Sequence, residues 1–240
     1  MAIDIGYLCP NCKQVFEMPR EEVIKMNKAI MSYSPIPTEE LDLVKQLKDI
    51  KVIFDVGARD DTDYLDIWPN ADFHLFEPNP LFYPILQTKT DGKTNVFVNG
   101  FGLGDKEELR GYCEPLQAFA GSGGVPENVI TNLNFPIKTL GQYVTEKEIK
   151  SIDFLKIDTE GHDIKVLLGA YNWLKMIKYI QYEHWGEVNN KMIIGLLQDK
   201  FEIHDVGYRN MFCMNKELVS EEERARSSKY IEDNKLAELV

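Results

Sequence analysis

Phe54-Asp55-Val56-Gly57-Ala58-Arg59-Asp60-Asp61, followed by His74-Leu75-Phe76-Glu77-Pro78-Asn79-Pro80, decides how the rest of the chain reads. The apolar run from Lys51 to Val56 stops at a small-residue turn. A second run, Phe73 to Phe76, stops about 20 residues later at a carboxylate, the spacing at which one βαβ unit sets an acid over a ribose. The pair predicts a cradle for a nucleotide cofactor at the carboxyl ends of two neighbouring strands.

The strand rhythm continues outward from this pair. Apolar runs at Asn95 to Val98, Phe154 to Ile157 and Tyr179 to Glu183 have strand length and turn-rich flanks. Helical stretches are expected between them at Leu81 to Lys89, Glu146 to Ser151 and Asp163 to Met176. In the last of these, Ile164, Leu167, Leu168 and Tyr171 share a face. Past a helix over Asn189 to Asp199, two β-rich runs, Phe201 to Val206 and Met211 to Asn215, flank Gly207 to Asn210 and suggest an antiparallel hairpin. The expected fold is α/β: a mostly parallel seven-stranded sheet with a C-terminal antiparallel hairpin and helices on both faces, Rossmann-like and typical of class I methyltransferases.

Three segments are expected: a helical N-terminal extension over residues 1–50, a cofactor-binding domain over 51–219 and a C-terminal helix over 220–240. In the extension, helices are expected from Arg20 to about Met31 and from Thr38 to Leu47, where Thr38 precedes Glu39 and Glu40. Cys9-Pro10-Asn11-Cys12 is half of a zinc knuckle, and no second pair completes it, so reduced, metal-free thiols in a turn are expected, with a degenerate or intermolecular metal site as the competing reading. Residues Asp105 to Gln142, containing Gly121-Ser122-Gly123-Gly124, read as a long irregular insertion that walls an acceptor pocket.

A net charge of -12 argues against nucleic acid as the main partner, because that binding relies on clustered Lys and Arg. The start lacks a basic and apolar leader and no run reaches membrane-spanning length, so a cytoplasmic protein with a small-molecule partner and no membrane contact is expected. A homo-oligomer is compatible with the sequence.

Cofactor chemistry can be narrowed by charge. Counting from Gly57, the second and third positions of a G-x-G-x-x-G turn hold Arg59 and Thr62, and Asp60 and Asp61 would face a pyrophosphate. A nucleotide-dependent oxidoreductase is therefore disfavoured. S-adenosylmethionine carries no phosphate and bears a sulfonium, which an acidic turn suits.

Asp55-Val56-Gly57-Ala58, Phe76-Glu77-Pro78, Gly102-Leu103-Gly104-Asp105, Leu155-Lys156-Ile157-Asp158-Thr159-Glu160-Gly161 and Leu167-Leu168-Gly169-Ala170, in this order, resemble the FkbM family of S-adenosylmethionine-dependent O-methyltransferases. The resemblance spans roughly Val52 to Trp185. It implies methyl transfer to a hydroxyl of a small molecule, a sugar or sugar-nucleotide first among them. The chain has Asp61 where that family usually has Gly, and Arg59 near a usual Asn. This departure motivates a competing reading, a binding module of the same fold without catalysis.

The expected cofactor residues are Asp55, Gly57, Ala58, Arg59, Asp61, Phe76, Glu77, Pro78, Asn99, Gly100, Phe101, Gly102 and Asp158. Glu77 is the ribose clamp, since a carboxylate can accept from both hydroxyls, and Asn99 to Gly102 would lie beside the adenine. Asp158, Glu160 and His184 form the expected catalytic set, with His184 as the general base and Asp158 holding either that imidazole or the cofactor's ammonium. A divalent metal on Asp158, Glu183 and His184 is the competing reading of the same cluster. Trp185 would offer an aromatic wall to a sugar ring, whereas His74, His162 and His204 read as structural.

Overall fold

The structure is a computed structural model that describes residues 5–8, 15–18, 38–60, 62, 64–79, 82–113, 118–119 and 133–238. Seven strands form the main sheet: β3 (Val52–Val56), β4 (Asp72–Phe76), β5 (Val96–Asn99), β10 (Ile152–Ile157), β11 (Ile177–Glu183), β12 (Phe201–Asp205) and β13 (Asn210–Asn215). Their order is β12-β13-β11-β10-β3-β4-β5, with β13 antiparallel to both of its neighbours and the other pairings parallel. The strand order reverses at β3 and β10, so the crevice of this sheet opens above their carboxyl ends.

Alternation along the strands divides the core between two faces. Phe54, Val56, Leu155, Ile157, Ile180, Tyr182 and Cys213 pack with α4 (Leu140–Glu146), α5 (Asp163–Ala170) and α6 (Glu187–Leu197). Ile53, Phe73, Leu75, Phe154, Tyr179, Phe212 and Met214 face the other way. There they meet Leu43 and Val44 of α1 (Thr38–Val44), Tyr64 of α2 (Tyr64–Ile67), Leu86 of α3 (Tyr83–Lys89) and Ile231 of α7 (Glu221–Asp233). Leu47 and Ile50 join this second core, so the stretch leading into β3 is built into the sheet's packing.

The helix expected over Glu146 to Ser151 lies earlier in the chain, as α4, and ends at Glu146. Thr139 and Gln142 explain the shift. The Thr139 hydroxyl accepts from the Gln142 amide at 3.0 Å, and the Gln142 side chain accepts from the Thr139 amide at 2.8 Å. This reciprocal cap fixes the start of the helix. The chain then turns through Glu148 at φ 55° before β10 begins. On α4, Tyr143 lies 4.9 Å from Phe76 and 5.7 Å from Phe54, and its hydroxyl meets His74 Nδ1 at 2.8 Å. Burial lowers the pKa of His74 to about 4, as a structural imidazole requires. The helix expected over Asp163 to Met176 is α up to Ala170 and 3-10 from Tyr171 onward.

The expected irregular insertion supplies three of the four strands of a second sheet. β6 (Gly102–Leu103), β7 (Glu108–Cys113), β8 (Ala118–Phe119) and β9 (Leu133–Lys138) pair in the order β6-β9-β7-β8. β6 follows β5 almost directly, which ties this sheet to the crevice. Gly121 to Gly124 lie outside the described residues. The extension expected to be helical has an antiparallel pair in its first part, β1 (Ile5–Leu8) with β2 (Val15–Met18). Cys9, Cys12 and the helix expected from Arg20 lie outside the described residues.

α5 is seated by a close approach. A Cβ at Gly169 would lie 1.9 Å from the carbonyl oxygen of Gly104, so only glycine lets the helix touch the link between β6 and β7. Gly169→Ala is expected to cost about 1–3 kcal/mol, the usual range for overpacking, read as a lower urea midpoint. An unchanged midpoint would contradict the contact.

Candidate functional site

The turn after β3 is pressed between its two neighbours. Gly57 has φ 86°, and a Cβ there would fall 1.8 Å from the carbonyl oxygen of Asp158. The amides of Gly57 and Ala58 both donate to the Phe76 carbonyl, at 3.0 and 3.2 Å, and the Asp158 amide donates to the Val56 carbonyl at 2.9 Å. Glycine is needed on two grounds, the positive φ and the lack of room.

Glu77 closes the turn from the β4 side. Its Oε2 accepts from the Arg59 amide at 2.8 Å, and its Oε1 accepts from the Asn79 amide at 2.7 Å. Its own amide donates to the Asn99 carbonyl at 3.0 Å, which links β3, β4 and β5 through one residue. Arg59 is held at φ 55°, a conformation costing an L-residue roughly 1–2 kcal/mol, and the bond to Glu77 helps offset it. Glu77 is only 6% exposed, and burial pushes its pKa up to about 8 although the two amides pull the other way.

A second group of charges lies across the turn. Lys156 Nζ sits 3.4 Å from Asp55 Oδ1 and 3.5 Å from Asp158 Oδ2. Burial opposes the ammonium, but Asp55 and Asp158 outweigh it and hold Lys156 above its ordinary pKa. Burial raises Asp55 in turn, with Lys156 counteracting. The loop after β10 passes through Glu160 at φ 54° and Gly161 at φ 90°. Asp163 secures that loop, with its carboxylate accepting from the Gly161 amide at 3.1 Å and the Thr159 amide at 3.4 Å. Burial, then the nearby Asp158, raises the pKa of Glu160. The same two causes lift Glu183 to about 7.

Between these groups lies an open cleft enclosing about 720 Å³ of space, part of it solvent. Val56, Gly57, Arg59, Phe76, Glu77, Pro78, Phe82, Gly102, Leu103, Asp158, Thr159 and Glu160 line it. The FkbM methyltransferase domain matches residues 55–209, from the end of β3 to the start of β13.

This chain belongs to the FkbM methyltransferase family.

Among curated proteins, it is 26% identical over 160 residues to the hexuronic acid methyltransferase AglP of Haloferax volcanii. The alignment takes in 65% of this chain, and the chain spans about 65% of that relative's length. Among solved structures, a putative caffeoyl-CoA O-methyltransferase from Staphylococcus aureus is 10% identical with a TM-score of 0.47, covering 82% of this chain and 93% of that one. A SAM dependent methyltransferase from Aquifex aeolicus is 12% identical with a TM-score of 0.43, covering 83% and 98%.

In this FkbM domain, Gly57, Arg59, Phe76, Glu77, Pro78, Gly102, Asp158 and Glu160 of the expected site residues line the cleft together. Asp55 lies beneath it as the partner of Lys156, and Ala58 faces the opposite core. Asn99 spends its side-chain amide on the Leu75 and Phe97 carbonyls, at 3.1 Å each. Gly100 abuts the Tyr83 ring, and Phe101 packs on Phe76, so neither lines the cleft. Asp61 lies outside the described residues.

His184 and Asp158 are not paired. Lys156 takes Asp158, while the His184 amide donates to the Arg209 carbonyl at 2.9 Å and His184 Nδ1 is buried with no hydrogen-bond partner. His184 does not line the cleft. The Glu183 oxygens are engaged by Arg209 Nη2 at 2.7 Å and by Trp185 Nε1 at 2.9 Å. Among the described residues no three His, Cys, Asp or Glu side chains are grouped to hold a metal, so Asp158, Glu183 and His184 do not form the alternative cation site. No helix among the described residues is long and apolar enough to cross a membrane.

Four cleft residues escaped the sequence reading: Val56, Phe82, Leu103 and Thr159. So did Lys156 beneath the cleft. The motif Lys156-Ile157-Asp158 held the signal for Lys156, since a lysine inside an apolar strand run needs a partner carboxylate.

The raised acids set the pH response of the ligand-free protein. A carboxyl whose folded pKa exceeds its unfolded value binds more protons when folded, so its stabilising contribution is full below about pH 4.5 and is lost as the pH rises. With Glu183 near 7 and Glu77 near 8, the melting temperature is expected to fall steadily from about pH 5 to 8. Glu77→Gln should flatten the upper part of that slope. A melting temperature that rises over this window would contradict the assignment.

Proposed function

We propose that the chain is an S-adenosylmethionine-dependent O-methyltransferase whose acceptor is a carbohydrate hydroxyl. The observation that carries this reading is the clasped turn: a carboxylate at the end of β4 beside a glycine turn that offers no pyrophosphate site. A dinucleotide would need helix amides directly after the turn, yet among the described residues the first helix past Gly57 begins at Tyr64 and is one turn long. The relative whose name specifies a hexuronic acid supports a carbohydrate acceptor.

The residues present fit this cofactor. Each Glu77 oxygen accepts one amide and keeps a lone pair for a ribose hydroxyl. Phe82, Pro78 and Leu103 give the cleft an apolar wall suited to a base. Asp158, oriented by Lys156, is placed for an ammonium group. The Thr159 hydroxyl oxygen is buried in the lining without a hydrogen-bond partner, a polar atom that a ligand can satisfy.

When bound, S-adenosylmethionine supplies an electrophilic methyl group on a sulfonium. The protein must then make a nucleophile of an alcohol. Glu160 is the base that the cleft itself offers, and its raised pKa brings it closer to the operating pH than an exposed glutamate would be. With the cofactor bound, the Glu160 carboxylate would take the hydroxyl proton as the methyl carbon exchanges its bond to sulfur for one to the acceptor oxygen, leaving the neutral thioether. His184, which burial shifts below its ordinary pKa, stands one strand away and outside the lining.

Glu77→Ala is expected to weaken S-adenosylhomocysteine binding by about 10- to 150-fold in calorimetry, the value of a charge-assisted pair of bonds. Unchanged affinity would remove Glu77 from the site. With S-adenosylmethionine and a panel of sugars, sugar nucleotides and uronic acids, Glu160→Gln should lower kcat by roughly 10²- to 10⁴-fold while homocysteine-form affinity changes little. His184→Ala should stay within about tenfold of wild type. The reverse ranking would move the base to His184, and tight binding without turnover on any acceptor would favour a non-catalytic module.

A further inference from the structure

Beside the cleft, at the carboxyl end of β11, three side chains form a separate unit. Glu183 accepts from Arg209 Nη2 through Oε1 and from Trp185 Nε1 through Oε2, while the Arg209 guanidinium lies 4.9 Å above the Trp185 ring. One carboxylate therefore fixes a guanidinium and an indole in register with each other. Arg209 is more open than the other cations near the cleft, with its side chain 55% exposed against 36% for Arg59 and 14% for Lys156. Glu183 engages part of one Nη2, and a guanidinium has five N–H donors, so most of its fork is free for a second anion.

The backbone presenting this group is held in a costly shape. Gly207, Tyr208 and Arg209 follow one another at φ 79°, 48° and 64°. Two consecutive left-handed non-glycine residues are rare and persist only when their surroundings impose them. Here Asp205 Oδ1 accepts from the Gly207 amide at 2.9 Å, the Asn210 amide donates to the Gly207 carbonyl at 2.7 Å, and the His184 amide donates to the Arg209 carbonyl at 2.9 Å. The turn is thus tied to β11 at the point where Arg209 meets Glu183.

Charge gives the unit its meaning. Asp158 and Glu160 line the cleft, Glu183 adjoins it, and the chain carries a net charge of -12. An anionic acceptor would be repelled from this edge unless a cation met it, and Arg209 interacts electrostatically with Glu160 of the cleft lining. We propose that Arg209 and Trp185 form the acceptor subsite and that it selects a sugar bearing a carboxylate, with the ring against the indole and the carboxylate on the guanidinium fork. This deepens the methyltransferase reading and rests on it.

The test uses the full chain saturated with S-adenosylhomocysteine, whose own affinity is measured first. Methyl glucuronide, methyl glucoside and glucose 6-phosphate are then titrated by calorimetry and by saturation-transfer NMR. The glucuronide is expected to bind about 10- to 100-fold more tightly than the glucoside. Arg209→Met should abolish that preference, and Trp185→Ala should weaken both sugars, with homocysteine-form affinity within twofold of wild type in each variant as the check on folding. Equal binding of glucuronide and glucoside, or a preference that survives Arg209→Met, overturns the proposal, and tighter binding of the phosphate overturns the carboxylate assignment. Failure to bind S-adenosylhomocysteine would count against the methyltransferase reading instead, so the two failures are distinct.

Discussion

The hydrogen bonds from the Arg59 and Asn79 amides to the Glu77 carboxylate organise this protein's working edge. They join the turn after β3 to the end of β4, while the Glu77 amide reaches β5. On the other side, the absence of a side chain at Gly57 lets the turn lie against the Asp158 carbonyl, which brings in β10. Four strands thus meet around one turn. The cleft opens directly above that junction.

The same junction concentrates negative charge. Asp55, Glu77, Asp158, Glu160 and Glu183 lie on or near the carboxyl ends of four adjacent strands, and Lys156 is the buried cation set among them. Burial raises Asp55, Glu77, Glu160 and Glu183, since the crowded edge disfavours their charged forms. A pyrophosphate is poorly matched to such a cleft. A sulfonium and an ammonium group are better matched to it.

The sheet was legible because β3, β4, β10 and β11 are continuous apolar runs stopped by turn residues, the pattern of strands covered on both faces. The C-terminal hairpin showed in the same way through Gly207 to Asn210. The second sheet did not show, because β6 and β8 are two residues long and carry no period. α4 starts earlier than its own sequence suggests because its cap, Thr139 with Gln142, sits in a segment whose pattern is irregular. Of the site, Glu77 and Gly57 followed from spacing alone. Lys156 did not, since its partner Asp55 is 101 residues away and only the pairing of β3 with β10 brings them together. The ends of β10 and β11 are adjacent as strand order implies, and it is Lys156, from within β10, that meets Asp158 there.

The central claim is that the Glu77 clasp creates a site for an adenosyl cofactor. A crystal structure of the full chain with S-adenosylhomocysteine tests it most directly. The account predicts the ligand between Gly57 and Asp158, with both ribose hydroxyls donating to the Glu77 oxygens and the Arg59 and Asn79 amides still bound to them. A ligand seated elsewhere, or a ribose that leaves Glu77 untouched, would contradict it.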